Sequence, residues 1–158
     1  MNVTRILVPV DFSGCSMAAA RAAHAMAERF SASVVLLHVP ELPGAVQPDA
    51  LIHPEPGAPG IPLQEYIEKR SAERFKPYRE LFGPLLEKAQ VEPSKYTAEV
   101  IIRISDEVGA DMIVMGTHGR RGIQRLLMGS VTEKVLRQTT RPVLVIRGDD
   151  GENAPTSG

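Results

Sequence analysis

One stretch of the chain reads Met112-Ile113-Val114-Met115-Gly116-Thr117-His118-Gly119, and Gly129-Ser130 follows it after a gap of nine residues. The four residues that open this stretch are apolar without interruption, which is typical of a strand covered on both faces of a sheet. Beyond Ser130, the spacing of Val131 and Val135 predicts a helix over residues 130–138. The stretch therefore predicts a buried strand, a glycine-rich loop and a helix in succession.

Three further apolar runs indicate that this strand belongs to a parallel sheet. They are Ile6-Leu7-Val8-Pro9-Val10, Val34-Val35-Leu36-Leu37-His38-Val39 and Val143-Leu144-Val145-Ile146. An alanine-rich helix is predicted between the first two over residues 13–30, with Ser13 or Ser16 as its N-cap. Strands that alternate with helices in this way predict right-handed crossovers, and therefore a parallel sheet with helices on both faces.

The segment between the second run and the glycine-rich stretch is less regular. Residues 40–62 hold seven of the thirteen prolines, which predicts an irregular, exposed loop. A helix is predicted over residues 63–82 with a kink at Pro77. A polar strand is predicted within residues 85–93, and its proline places it at an edge of the sheet.

A further helix is predicted over residues 97–108, where Thr97 could cap the start and Gly109 ends the helix. Three of its apolar residues would face the core: Ile101, Ile104 and Val108. Because β-branched runs suit both conformations, a strand over residues 100–104 stays open as an alternative.

The composition is that of an ordinary globular protein. The chain has 158 residues, 43% of them apolar, and its net charge of −1 does not favour nucleic acid as a partner. The single cysteine, Cys15, excludes an intrachain disulfide and fits a reducing compartment. No secretory signal and no apolar run near the roughly 18 residues of a membrane span are found, so a cytoplasmic protein without a membrane partner is predicted. Residues 1–147 would form one domain, and residues 148–158 a disordered tail.

The glycine-rich stretch is the candidate functional site, because parallel sheets bind ligands beyond the carboxyl ends of their strands. Its glycines would let an anion approach main-chain N–H groups, and Ser130 adds a hydroxyl at the positive end of a helix. The spacing differs from the dinucleotide-binding fingerprint and from the Walker loop. Phosphate binding is favoured over the alternative that the glycines serve only to turn the chain.

The spacing Gly-x2-Gly-x9-Gly-Ser resembles the nucleotide-binding motif of ATP-binding universal stress proteins. Further stretches that resemble this family are Ile6-Leu7-Val8-Pro9-Val10-Asp11-Phe12-Ser13, Gly109-Ala110-Asp111-Met112-Ile113-Val114-Met115-Gly116, Gly129-Ser130-Val131-Thr132-Glu133-Lys134-Val135 and Arg141-Pro142-Val143-Leu144-Val145-Ile146. The resemblance covers about residues 3–147. It implies a Rossmann-like α/β fold of three layers, with an open, twisted, five-stranded parallel sheet in the order 3-2-1-4-5. One departure is Lys95-Tyr96-Thr97, where the family often carries Gly-x-Pro.

The resemblance also implies which residues bind the nucleotide. Asp11 would face the ribose, and the other residues expected at the nucleoside are Pro9, Val10, Val39, Met115 and Gly116. The residues expected around the phosphates are His118, Gly119, Gly129, Ser130, Val131 and Thr132. Arg120, Arg121 and Arg125 lie in the same loop, where they either neutralise phosphate charge or are simply solvated.

The function that follows from the resemblance is that of a regulatory protein of the stress response that binds an adenine nucleotide, with Mg²⁺ accompanying it. ATP is the expected nucleotide, and another adenine nucleotide stays open as the alternative. The alternative is a slow ATP hydrolase or a nucleotidyl transferase of a related α/β type. We find no acidic pair suited to two metals and no general base with an orienting partner, so at most weak hydrolysis is expected. His24 and His53 lack metal-ligand spacing, and no protein-held metal is predicted.

The partner predicted for the chain is a second copy of itself. In the implied strand order, Pro142-Val143-Leu144-Val145-Ile146 is an apolar edge strand, and bare edges of that kind invite strand pairing. The family commonly dimerises through this strand, so the resemblance implies a homodimer. Cys15 follows Ser13-Gly14 near a helix start, but it has no evident partner base and is interpreted as an inert thiol.

Overall fold

A parallel five-stranded sheet forms the centre of the protein. The computed structural model describes residues 2–42, 46–47, 49–117 and 128–148. The strands are β1 (Arg5–Pro9), β2 (Ser33–His38), β3 (Leu51–Ile52), β4 (Ile61–Pro62), β5 (Leu86–Val91), β6 (Met112–Gly116) and β7 (Val143–Ile146). The helices are α1 (Gly14–Phe30), α2 (Leu63–Arg74), α3 (Lys76–Phe82), α4 (Thr97–Glu107) and α5 (Ser130–Gln138).

The sheet runs in the order β5-β2-β1-β6-β7, and every pair of neighbours in it is parallel. Counted along the chain without the short β3 and β4, this is the predicted order 3-2-1-4-5. The α/β fold with helices on both faces is therefore confirmed. None of the described helices combines the length and the apolar character needed to cross a bilayer.

Helix α1 packs closely on the sheet because its inner face is made of small side chains. Four of its alanines are completely buried: Ala19, Ala20, Ala23 and Ala27. Of the two predicted N-caps, Ser13 is the one used, since its side chain accepts the N–H of Ser16 at 3.2 Å. The Ser16 hydroxyl instead lies 2.9 Å from the Tyr78 hydroxyl, and burial raises the pKa of that phenol.

The core is divided by the sheet into two clusters. The cluster on the α1 side contains the alanines of α1 together with Phe75, Tyr78 and Phe82. The cluster on the other side is formed by α4 and α5, and it includes the buried Ile101 and Ile104. Residues 100–104 are helical, so the alternative of a strand is excluded. Thr97 is the first helical residue rather than the cap, a position that Tyr96 occupies.

Two other predictions for the middle of the chain were wrong in detail. Residues 40–62 are not wholly irregular, because β3 and β4 pair as a two-residue antiparallel ladder. Such short pairing leaves no periodic pattern in a sequence. The predicted helix over residues 63–82 is interrupted at Phe75, not kinked at Pro77. Pro77 lacks an N–H group and therefore fits into the first turn of α3. The break between the two helices lies two residues before it, at Phe75.

The amino ends of β1 and β6 are fastened together by one carboxylate. Asp111 accepts hydrogen bonds from the N–H of Thr4 at 2.7 Å, from its hydroxyl at 2.8 Å, and from the N–H of Arg5 at 3.0 Å. These bonds hold the pKa of the Asp111 carboxyl below its ordinary value. Fixing the two strands at their starts also places their carboxyl ends side by side.

Candidate functional site

The candidate site lies where the carboxyl ends of β1 and β6 meet. The two strands are neighbours in the sheet, yet the helices that follow them pack on opposite faces, α1 on one and α5 on the other. This divergence opens a crevice at the switch point of the sheet, the usual ligand position in open α/β folds. The strand order alone therefore brings the residues after β1 and after β6 together.

An apolar wall formed by Met115, Val39 and Val131 belongs to the hydrophobic cluster on the α4–α5 face of the sheet. Met115 is buried near the end of β6, and the half-buried Val39 and Val131 pack against the same cluster. Ala98, from the first turn of α4, belongs to that cluster too. Three of the apolar residues expected at the nucleotide thus share one hydrophobic cluster, although they are separated by up to 92 positions in the sequence.

The turn after β1 holds Asp11 in a defined position. One oxygen of its carboxylate accepts the N–H of Ser13 at 3.0 Å, which makes a tight turn into α1. Pro9 ends β1 and is half-buried, as expected for the rim of the crevice. The side chain of Val10 is buried in the cluster on the α1 side. Its carbonyl accepts a hydrogen bond from Nδ1 of His38 at 2.8 Å, so only its main chain lies near the rim.

An aromatic cluster that the sequence did not reveal supports the same turn. Phe12 has a φ of 65°, a conformation that costs energy for a bulky residue. Its ring lies 4.4 Å from the ring of His38, 5.2 Å from Phe75 and 5.9 Å from Tyr78, between ring centroids. The Arg74 guanidinium stands 4.4 Å above the Phe12 ring. These contacts stabilise the strained backbone beside Asp11.

Two hydrogen bonds close the base of the glycine-rich loop. The N–H of Gly129 donates to the Thr117 carbonyl at 2.7 Å, and the hydroxyl of Thr132 donates to the Gly116 carbonyl at 2.9 Å. Thr132 is only 3% exposed, so its hydroxyl ties α5 to β6 and is not directed at solvent. His118 and Gly119, like Arg120, Arg121 and Arg125, lie outside the described residues.

The start of α5 is a feature of the crevice that can attract an anion. Gly129 is its N-cap, with φ −62° and ψ 151°, and no side chain of the described residues caps the helix. The first helical hydrogen bond runs from the N–H of Glu133 to the Gly129 carbonyl. The N–H groups of Ser130, Val131 and Thr132 therefore point out of the helix end, where the dipole favours negative charge.

Gly116 allows α1 to approach β6 unusually closely. A Cβ atom at this position would lie 2.6 Å from the sulfur of Cys15 and 3.3 Å from the carbonyl carbon of the same residue. Gly148, the first residue of the predicted tail, packs there as well, because its Cβ would lie 2.7 Å from the Cα of Cys15. The rest of that tail lies outside the described residues. Cys15 is buried and its thiol faces the Ile146 carbonyl at 3.6 Å, which agrees with an inert role.

We expect Gly116→Ala to destabilise the protein by about 1–3 kcal/mol, because the added methyl group overpacks a site with no free volume. Removing the sulfur should relieve most of the clash, so the double variant Cys15→Ala/Gly116→Ala should regain part of the loss. The measurement is urea unfolding of the single and double variants, analysed as a double-mutant cycle.

The matched control is Gly14→Ala, since a Cβ at Gly14 meets nothing within 4 Å. Because Gly14 begins α1, alanine there should leave the unfolding free energy unchanged or raise it slightly. If Gly116→Ala were as stable as Gly14→Ala, the close packing of α1 on β6 would not explain the glycine.

Comparison with known proteins agrees with the fold. The model of the universal stress protein family matches residues 2–147. A universal stress protein of Thermus aquaticus is 32% identical over 146 residues, which cover 90% of this chain and 97% of the relative. The solved universal stress protein of Archaeoglobus fulgidus in complex with dAMP superposes with a TM-score of 0.59 at 23% identity, covering 92% and 99% of the two chains. A universal stress protein in complex with cAMP gives 0.62 at 19% identity, covering 93% and 98%.

Proposed function

The chain belongs to the universal stress protein family, and from this premise we propose that it is an ATP-binding regulatory protein of the stress response. The observation that carries the proposal is the uncapped start of α5, the helix that follows β6, while the Asp11 turn follows β1, the neighbour of β6 in the sheet. The solved relatives with dAMP and cAMP support an adenine nucleotide as the ligand class. The lone buried Cys15 suits the cytoplasm, where we propose that the protein acts.

In this proposal each part of the nucleotide meets a group of matching chemistry. The adenine lies against the apolar wall of Val39 and Met115, and the ribose hydroxyls face the Asp11 carboxylate. The phosphates lie over the N–H groups at the start of α5, where Ser130 is exposed. Pro9, Val10 and Gly116 contribute rim and main-chain contacts.

The remaining proposed ligands come from the glycine-rich loop and from the first turn of α5. His118 and Gly119 are assigned to the phosphates through the family motif alone. Val131 and Thr132 would contribute main-chain N–H groups, because the Val131 side chain packs in the core and the Thr132 hydroxyl is bonded to Gly116. The proposal therefore uses the backbone of this turn more than its side chains.

Magnesium would enter the site with the phosphates. Among the described residues there is no group of three His, Cys, Asp or Glu side chains that could hold a metal. We propose that the nucleotide phosphates and water molecules hold the Mg²⁺ ion, because Mg²⁺ in proteins usually keeps several waters and binds through substrate phosphates.

ATP at about one hundred times its dissociation constant should raise the unfolding free energy by roughly 2.7 kcal/mol, because it binds only the folded state. Urea or thermal unfolding of the purified protein with ATP, with GTP and with buffer measures this effect. Mass spectrometry of the denatured protein first establishes whether nucleotide was already bound. Because the site is proposed to prefer adenine, the free energy of unfolding should rise clearly with ATP and less with GTP.

The proposal would be wrong if neither nucleotide raised the unfolding free energy of a preparation shown to be free of nucleotide. A rise of equal size with GTP would keep phosphate binding but contradict the adenine specificity. The two results are distinguishable within the same titration.

A further inference from the structure

An exposed aromatic residue stands beside the crevice without a structural role in the core. Tyr96 is 55% exposed, one of the largest apolar exposures among the described residues. It occupies the N-cap of α4, where Ser, Thr, Asp and Asn are preferred, and its side chain makes no capping hydrogen bond. An aromatic ring at this position stabilises neither the helix nor the core.

Hydrogen bonds place the segment before Tyr96 alongside the apolar wall. Beyond the ends of β2 and β5, the N–H of Glu92 donates to the His38 carbonyl at 2.9 Å, and the N–H of Ser94 donates to the Pro40 carbonyl at 3.0 Å. The two chains therefore run side by side past the sheet. Val39, the residue assigned to the adenine, lies between the two acceptors of this ladder.

The residues on both sides of Tyr96 anchor it at this edge. Its own N–H donates to the hydroxyl of Ser94 at 3.0 Å, and its carbonyl accepts the N–H of Val100 at 3.1 Å as α4 begins. Two residues later, Ala98 is 3% exposed and packs in the same cluster as Met115 and Val39. These contacts fix the backbone of Tyr96 at the end of the crevice where the adenine is proposed to bind, and its ring lies outside the core.

The chemistry of this pair of residues suits a heterocyclic base. The Lys95 ammonium lies 5.1 Å from the centroid of the Tyr96 ring, and no second ring pairs with Tyr96 within the described residues. A tyrosine ring offers a flat π-face of the kind on which bases stack in a sequence-tolerant manner. Lys95 restrains the ring through a cation–π contact.

We propose that Tyr96, held by Lys95, forms an outer wall of the base subsite and stacks on the adenine of the bound nucleotide. This inference rests on the proposed nucleotide site and adds to it a residue that determines affinity for the base. It gives the sequence Lys95-Tyr96-Thr97 a function. The inner wall of Val39 and Met115 and the outer ring of Tyr96 would then enclose the base between them.

The test is calorimetric titration of ATP into the wild type and three variants. Tyr96→Ala should weaken ATP binding about tenfold, in line with the loss of one base–aromatic stack. Tyr96→Phe keeps the ring and should bind within about twofold of the wild type. Tyr66→Ala is the matched control, because Tyr66 also carries a cation over its ring, Arg70 at 5.6 Å, but lies on α2.

Inorganic tripolyphosphate, which has no base, separates stacking from a general disturbance of the site. Tyr96→Ala should bind it as the wild type does. The chain has three tyrosines and no tryptophan, so quenching of tyrosine emission by ATP reports stacking directly and should be lost in Tyr96→Phe. Tyr96 is exposed, and the thermal midpoints of the free variants should match the wild type.

If the wild type binds ATP and Tyr96→Ala binds it with the same affinity, this inference is wrong and the proposed function still stands. An equal loss for ATP and tripolyphosphate in Tyr96→Ala would also overturn it, because a stacking residue cannot act on a ligand without a base. Failure of the wild type to bind either ligand would overturn the proposed function and this inference with it.

Discussion

Replacing Gly129 with valine is expected to abolish the stabilisation by ATP while leaving the free protein folded. Gly129 has φ −62° and ψ 151°, which valine adopts without strain, and it caps α5 without any side-chain hydrogen bond. Valine is a poorer N-cap than glycine, so the free variant should be somewhat less stable than the wild type but still folded. The isopropyl group would stand at the mouth of the N–H groups that the phosphates need. At the ATP concentration that raises the wild-type unfolding free energy by roughly 2.7 kcal/mol, the variant should show no rise.

The control for this variant is Gly14→Val, which places the same side chain at the start of the other helix that borders the crevice. A Cβ at Gly14 meets no atom within 4 Å, so the fold should tolerate it. Gly14→Val should keep most of the response to ATP, because the proposed phosphate position is at α5 and not at α1. Equal responses of Gly129→Val and the wild type would contradict phosphate binding at the start of α5.

The elements that form this site could be predicted because they depend on local sequence patterns. The apolar run of β6 and the valine spacing of α5 are each legible within ten residues, and the predicted α5 has the observed bounds. Once the strands are parallel, their carboxyl ends must share one edge of the sheet. That rule explains why Val39, Met115 and Val131 pack in one hydrophobic cluster.

The contacts that support the site could not be predicted, because they join residues whose separation no local pattern encodes. The close contact between Gly116 and Cys15 depends on the position of α1 along the sheet. From the sequence alone, Gly116 was explained only by a turn of the chain and by ligand binding. The direction of Val10 and the hydroxyl bond of Thr132 likewise depend on tertiary placement. The contacts of the Phe12 ring with His38 and Phe75 likewise join residues that are distant in the sequence.

The other large effect is expected at the edge strand β7, through which we propose that the protein dimerises. In the described part of the chain, β7 pairs only with β6, so its outer N–H and C=O groups meet no neighbouring strand. Its four residues, Val143, Leu144, Val145 and Ile146, are all half-buried, whereas the centre of β1 is fully buried. An apolar edge of this kind invites pairing with a second copy about a two-fold axis, which would satisfy the backbone and bury the side chains.

Light scattering of the wild type at micromolar concentration should therefore give about twice the 17.2 kDa mass of one chain. Val145→Lys should shift this value toward the monomer, because pairing would bring two like charges together on opposed edges. Leu51→Lys is the matched control: Leu51 is an apolar residue with 67% exposure on β3, away from the main sheet, and its charge should leave the dimer intact. A wild-type monomer at high concentration, or dissociation by both variants alike, would contradict pairing through β7. Dissociation by Val145→Lys and not by Leu51→Lys would indicate that the two-fold axis of the dimer runs beside β7. Near that axis the new lysine lies close to the same lysine of the second copy, and the two charges repel each other.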